Sequence, residues 1–124
     1  MYSLLTKKDI VGFNQEIGEK GEFNNESSLE FALSLAKTKR NWLYELSYLV
    51  RSLLVDHVFR DGNKRTCLLV IVYCLEENKK KYDKDKLLLA IRKIAKNNIT
   101  NPLMIVRLIY NVVKEENNGI SRRK

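Results

Sequence analysis

"KRTCLLVIVYCLEEN", residues 64–78, is apolar without a break from Cys67 to Leu75, and whether it forms a strand or a helix decides the fold class. A buried strand and a buried helix share such a pattern. The length of the run and its charged ends favour a helix near 63–77, buried as the central element of the core. Such a helix needs amphipathic neighbours, and the flanking sequence supplies them.

Downstream, the charged connection "NKKKYDKDK" (78–86) leads to Asp83, a plausible cap. Leu87, Leu88, Ile91, Ile94 and Ala95 then form one apolar face. Asn101 followed by Pro102 reads as cap plus first helical residue, opening a last helix through Leu103, Val106, Ile109, Tyr110 and Val113. Upstream, Asn41 caps a helix whose stripe of Leu43, Leu46, Val50, Leu53 and Leu54 runs toward His57. Ser27 or Ser28 caps an earlier helix through Leu29, Ala32, Leu33 and Ala36 to about residue 38, and Thr6 with Asp9 forms a capping box for a first helix near 6–17. The turn-forming stretch 18–28, with Phe23 as its isolated aromatic, reads as a loop or short hairpin. With no period-two alternation and no repeat, the expectation is all-α: one compact domain over 1–124, a bundle of about six helices, with 115–124 as a flexible tail.

The 124 residues, 44% hydrophobic and 31% charged, suffice for one core and leave no room for a second. No apolar run approaches the length of a membrane span, and "MYSLLTKKDI" lacks the features of a signal peptide, so the expectation is a cytoplasmic protein without a membrane partner. Cys67 and Cys74, seven apart on one helix, would lie roughly 10 Å apart at the helical rise, beyond disulfide reach, and are expected as buried thiols. One His and two Cys so arranged do not make a zinc set. The net charge of +8 is compatible with nucleic acid, an acidic protein or a phosphorylated substrate, and does not choose among them.

The chemistry concentrates in "HVFRDGNKRT", residues 57–66. Gly62 and Asn63 tolerate unusual backbone angles directly before the central helix, whose first N–H groups make an anion site. Lys64 and Arg65 sit in its first turn, where the helix dipole disfavours cations, as if matched to something negative. His57 supplies an imidazole able to accept a proton near neutrality, and Asp61 supplies a hard oxygen ligand for Mg²⁺. Phe59 is expected to anchor the loop in the core, Arg60 to face solvent, and Thr66 to belong to the first helical turn. Base, metal ligand, anion nest and Arg describe transfer of a phosphate-containing group to a hydroxyl.

Residues His57-Val58-Phe59-Arg60-Asp61-Gly62-Asn63-Lys64-Arg65 resemble the signature of the Fic/Doc (Fido) family, H-x-F-x-[DE]-[GA]-N-[GK]-R, and the resemblance extends over most of residues 4–113. It implies that His57 deprotonates a target hydroxyl and that Asp61 coordinates Mg²⁺. It further implies that Gly62, Asn63 and Lys64 form the phosphate-binding turn, with Asn63 and Arg65 contacting the phosphates of ATP. It places a β-hairpin flap near 18–26, so that Phe23 lies near the target backbone; a packed loop aromatic is the equal alternative.

Family members that transfer AMP usually have Gly at the position of Lys64 and a second Arg at the position of Leu68; this chain has neither, and Val58 replaces a common Pro. The pattern is similar to the Doc (death-on-curing) branch, which implies phosphorylation of a target protein by a toxin. The family's inhibitory sequence, [ST]-x-x-x-E-[GN], does not occur, so any restraint is expected from a separate antitoxin chain. The alternatives are protein AMPylation and a non-enzymatic basic helical binding module. Lys79, Lys80, Lys81, Lys84 and Lys86 would be the phosphate-contacting patch of such a module, although a charged connection is usually only solvated, and nucleic acid is not the expected partner.

Overall fold

The computed structural model describes residues 5–36 and 41–114, leaving the expected tail at 115–124 outside the described residues. Six helices run in order: α1 (Lys7–Glu16), α2 (Glu26–Ala36), α3 (Trp42–Leu54), α4 (Asn63–Glu77), α5 (Lys84–Asn97) and α6 (Pro102–Tyr110). The chain is an all-α bundle, as its apolar spacing indicated, and the stretch that decided the fold class is α4. None of the described helices is long and apolar enough to cross a membrane.

Two helices organise the bundle. α4 packs against α1, α3 and α5, while α3 packs against α2, α4 and α6. Cys67, Val70, Ile71, Cys74 and Leu75 of α4 are fully buried against Leu46, Val50, Leu53 and Leu54 of α3 and Leu87, Ile91 and Ile94 of α5, in one core. α4 is not enclosed all round: Leu68, Leu69, Val72 and Tyr73 are half-buried, with Phe13 of α1 covering Tyr73 at a ring distance of 5.8 Å.

Side chains close most helix starts as their sequence implies. Thr6 Oγ1 accepts from Asp9 N at 3.1 Å while Asp9 Oδ2 accepts from Thr6 N at 2.9 Å, both halves of the capping box. Asn41, Asp83 and Asn101 each accept a first-turn N–H, and Pro102 fills a position that needs no donor. For α2 the cap is Asn25, not Ser27 or Ser28: its Oδ1 accepts from Ser28 N at 3.3 Å, and Ser28 instead donates to Asp56 at 2.6 Å. The start of α4 is different, because Gly62 stands at its cap with no side chain to offer.

Two features escaped the apolar pattern. α3 stops at Leu54, so that Val55 to Gly62 form a loop, and the strands β1 (Lys81–Tyr82) and β2 (Val113–Lys114) pair antiparallel with Lys81 opposite Lys114. Strands of this length carry no readable alternation. The segment 18–26 does not fold on itself as a hairpin; its extended part crosses to the loop after α3 through a bridge between Phe23 and Phe59.

Cys67 and Cys74 are free, buried thiols; burial pushes both thiols up, Cys74 to about 12, with Glu77 and Glu45 adding to the effect there. Because the thiolate is the reactive form, neither is expected to react with a disulfide reagent in the native protein at pH 8. Both should react at once in denaturant; fast labelling of either under native conditions would contradict the packing of α4.

Candidate functional site

The site lies where the loop after α3 meets the uncapped start of α4. The loop is braced from the 22–25 segment. Asn24 N and Asn25 N both donate to Val58 O (2.7 and 3.0 Å), Arg60 N donates to Glu22 O (3.0 Å), and Asn24 Nδ2 donates to His57 O (3.0 Å). The Phe23 ring stacks on Phe59 at 5.4 Å, and Phe59 itself is buried. Phe59 is thus the core anchor expected of it, while Phe23 is a packed aromatic on the inner face of the brace.

His57 is exposed and adopts φ +54, a left-handed conformation unusual for a residue with a side chain. Such backbone costs about 1–3 kcal/mol and persists only where surroundings hold it. The bond from Asn24 to its carbonyl, and the two on the next carbonyl, are those surroundings.

Asn63 performs a task that the motif alone did not disclose. Its side chain spans the loop, with Oδ1 accepting from Phe59 N at 3.0 Å and Nδ2 donating to Phe59 O at 2.9 Å. The amide is therefore engaged with backbone, and what Asn63 offers the cleft is its own N–H. Gly62 is at φ +79, and a Cβ there would lie 2.7 Å from Glu19 Cγ and 2.9 Å from Ile17 Cδ1. Both the turn and the close packing require glycine.

Asn14 of α1 was not singled out by its sequence context, yet it holds these parts together. Nearly inaccessible, at 1% exposure, it donates from Nδ2 to Asp61 O (3.0 Å) and Thr66 Oγ1 (3.1 Å) and accepts from Gly21 N on Oδ1 (2.8 Å). Thr66 is buried in the first turns of α4, as expected, and does not line the cleft. No spacing rule marks a single buried Asn on an amphipathic helix; only its burial reveals it.

The resulting cleft, about 570 Å³, is lined by His57, Arg60, Asp61 and the run Gly62 to Arg65, closed below by Leu54 and Ala95. It gathers the residues of the motif that sequence reading marked as base, metal ligand and phosphate-binding turn. Arg60, expected to face solvent, is exposed but stands on its rim. Arg65 is paired with Glu19 at 2.8 Å. That contact brings a carboxylate onto the one Arg of the turn from within the same chain, where the absence of the inhibitory sequence had pointed only to another chain. The Arg65 side chain is 60% exposed, so the pair is of the weak surface kind.

Among the described residues no three His, Cys, Asp or Glu side chains converge as a metal site. Asp61 is the one carboxylate lining the cleft, and a single carboxylate suits a hydrated divalent cation shared with phosphate oxygens better than a protein-enclosed one. Comparison with family models, curated proteins and solved structures gives no match to this chain.

Replacing Asn14 with Leu removes three hydrogen bonds and leaves the Gly21 N–H and Asp61 carbonyl to find other partners. A loss of about 3 kcal/mol is expected, since each buried polar group left unpaired costs about 1–3 kcal/mol. Urea unfolding checks it: the midpoint should fall with an unchanged slope, and a midpoint equal to wild type would deny Asn14 this role.

Proposed function

We propose that the cleft transfers a phosphate-containing group from ATP to a hydroxyl of a target protein, as the likeness to the Fic/Doc family implies. Phosphorylation in the manner of the Doc branch is the favoured form. The observation that carries the reading is the convergence on one cleft of His57, held in left-handed backbone, with Asp61 and the uncapped start of α4.

Each part has a chemical task. The N–H groups at the start of α4 and the cations of Lys64 and Arg65 bind and orient the phosphates, drawing on the positive end of the helix dipole. Arg65 can make this contact once it releases Glu19. A target Ser, Thr or Tyr presents its hydroxyl to His57, which takes the proton as the oxygen attacks phosphorus. The new O–P bond forms as the bond to the departing ADP oxygen breaks, and charge on the transferred group is met by the fixed donors of the turn. Mg²⁺, held by Asp61 and the phosphates, would neutralise charge on the nucleotide.

Phosphoryl transfer is favoured over AMP transfer because Leu68, at the place of the second Arg, is half-buried and packs against the core. An apolar side chain there supplies no second cation to the phosphates. Doc-like action as a toxin restrained by a partner chain follows from the same likeness.

ATP labelled at the γ or the α position, incubated with the protein and a cell lysate, separates the two forms. Label is expected to enter protein from the γ position, and His57→Ala should lower the rate at least a hundredfold, in line with general-base loss. Label entering only from the α position would make the protein an AMP transferase. An undiminished rate in His57→Ala would remove the reading entirely.

A further inference from the structure

The far end of α4 carries a second basin, about 360 Å³, which the proposed activity does not use. α4 spans its 15 residues, about 22 Å at 1.5 Å per residue, between this basin and the cleft. Lys79, Lys80, Lys81 and Lys114 line the basin together with Trp42 and Tyr110, and no carboxylate among the described residues lines it. All four lysines are exposed, and none of them forms an ion pair among the described residues.

The backbone gathers these cations against their mutual repulsion. Lys81 and Lys114 are direct partners across the antiparallel pair, a position where like charges are destabilising. Lys79 occupies the left-handed position just past the end of α4, with φ +56, in a turn closed by Lys79 N to Glu76 O (3.0 Å) and Lys80 N to Leu75 O (2.8 Å). Glycine is the unstrained residue for that position. The negative end of the α4 dipole accounts for a cation near its last carbonyls, but not for Lys114, which arrives from β2.

Beside the cations stand two aromatic rings. Tyr110 is 60% exposed, and neither it nor Trp42 has a ring partner among the described residues. Clustered ammonium groups beside unstacked aromatic faces are the chemistry that grips single-stranded nucleic acid, phosphates on the cations and bases on the rings. A duplex keeps its base faces covered, and an acidic peptide has no use for the rings as stacking platforms.

We propose that this basin binds single-stranded nucleic acid, with Lys79, Lys80, Lys81 and Lys114 on successive phosphates and a base against the exposed ring of Tyr110, beside the half-buried Trp42. The proposal stands independently of the chemistry in the cleft.

Trp42 is the only tryptophan, so its fluorescence reports on the basin directly. The full chain is titrated with an oligo-dT or oligo-rU octamer, with a duplex of equal charge, and with poly-L-glutamate. The octamer should quench Trp42 and bind more tightly than the duplex. Lys81→Gln with Lys114→Gln should weaken it about tenfold and lower the dependence of log affinity on log salt by about 1.4, at about 0.7 per lost phosphate contact. Tyr110→Ala should also cost about tenfold through lost stacking. Lys79→Gln with Lys80→Gln, outside the strand pair, gives the same test if the first pair disturbs folding by circular dichroism. The proposal is overturned if no octamer quenches Trp42, or if both lysine pairs bind as wild type does. Equal quenching by poly-L-glutamate would make the basin a surface for acidic protein, and loss of binding on Arg65→Gln alone would move the oligonucleotide to the other cleft.

Discussion

The candidate site depends on one buried side chain amide. Asn14 reaches from α1 to the Asp61 carbonyl, to Thr66 in α4 and to Gly21, directly before the segment that braces the loop. Two stretches far apart in sequence, Asn14 to Gly21 and Asp61 to Thr66, are thereby fixed at hydrogen-bond tolerance. A buried amide left unpaired is costly, so the arrangement is formed together or not at all. Hydrophobic packing of α1 on α4 brings the helices near; the amide decides their register at the point where register matters.

Around it the site is built mostly from backbone. Asn63 clamps both polar groups of Phe59, Asn24 holds the His57 carbonyl, and two N–H groups share the Val58 carbonyl. Asparagine recurs because its amide both donates and accepts, and so can stand in for a missing strand. The outcome is a polar loop with a rigid course, presenting His57 and Asp61 outward while Phe59 is sunk in the core. The start of α4 is left without a side-chain cap, whereas α1, α3, α5 and α6 each have one. Its N–H groups are thus available to a ligand, which is the physical basis for reading the cleft as a phosphate site.

Much of this was legible in the sequence, for reasons that can be stated. The bounds of α4 follow from apolar periodicity, and the starts of α5 and α6 from Asp83, Asn101 and Pro102, all local signals; Val113, whose apolar spacing placed it on α6, lies instead in β2, because that helix ends at Tyr110 and the chain pairs with β1. The polar residues of the cleft lie within one contiguous stretch, 57–65, so no tertiary inference was needed to assemble them, whereas its apolar lining draws Ala95 from α5. What escaped was non-local. Asn14, the contact of Glu19 with Arg65, the bridge from Phe23 to Phe59 and the facing of Lys81 and Lys114 join residues separated by tens of positions. The clamp that the Asn63 side chain makes on Phe59 escaped for another reason: a motif names a residue without saying which of its groups points at the ligand. Asn25 displaced Ser27 and Ser28 as the α2 cap because Ser28 had a better partner in Asp56.

In the proposed reading, the start of α4, set by Asn14 and framed by His57 and Asp61, binds phosphate. Backbone amide resonances during a titration with ATP and Mg²⁺ test it most directly, since they report on the N–H groups themselves. The largest shifts are expected on Gly62, Asn63, Lys64 and Arg65, with His57 moving alongside and the far end of α4 unchanged. Saturating ATP that leaves those four amides in place would contradict it.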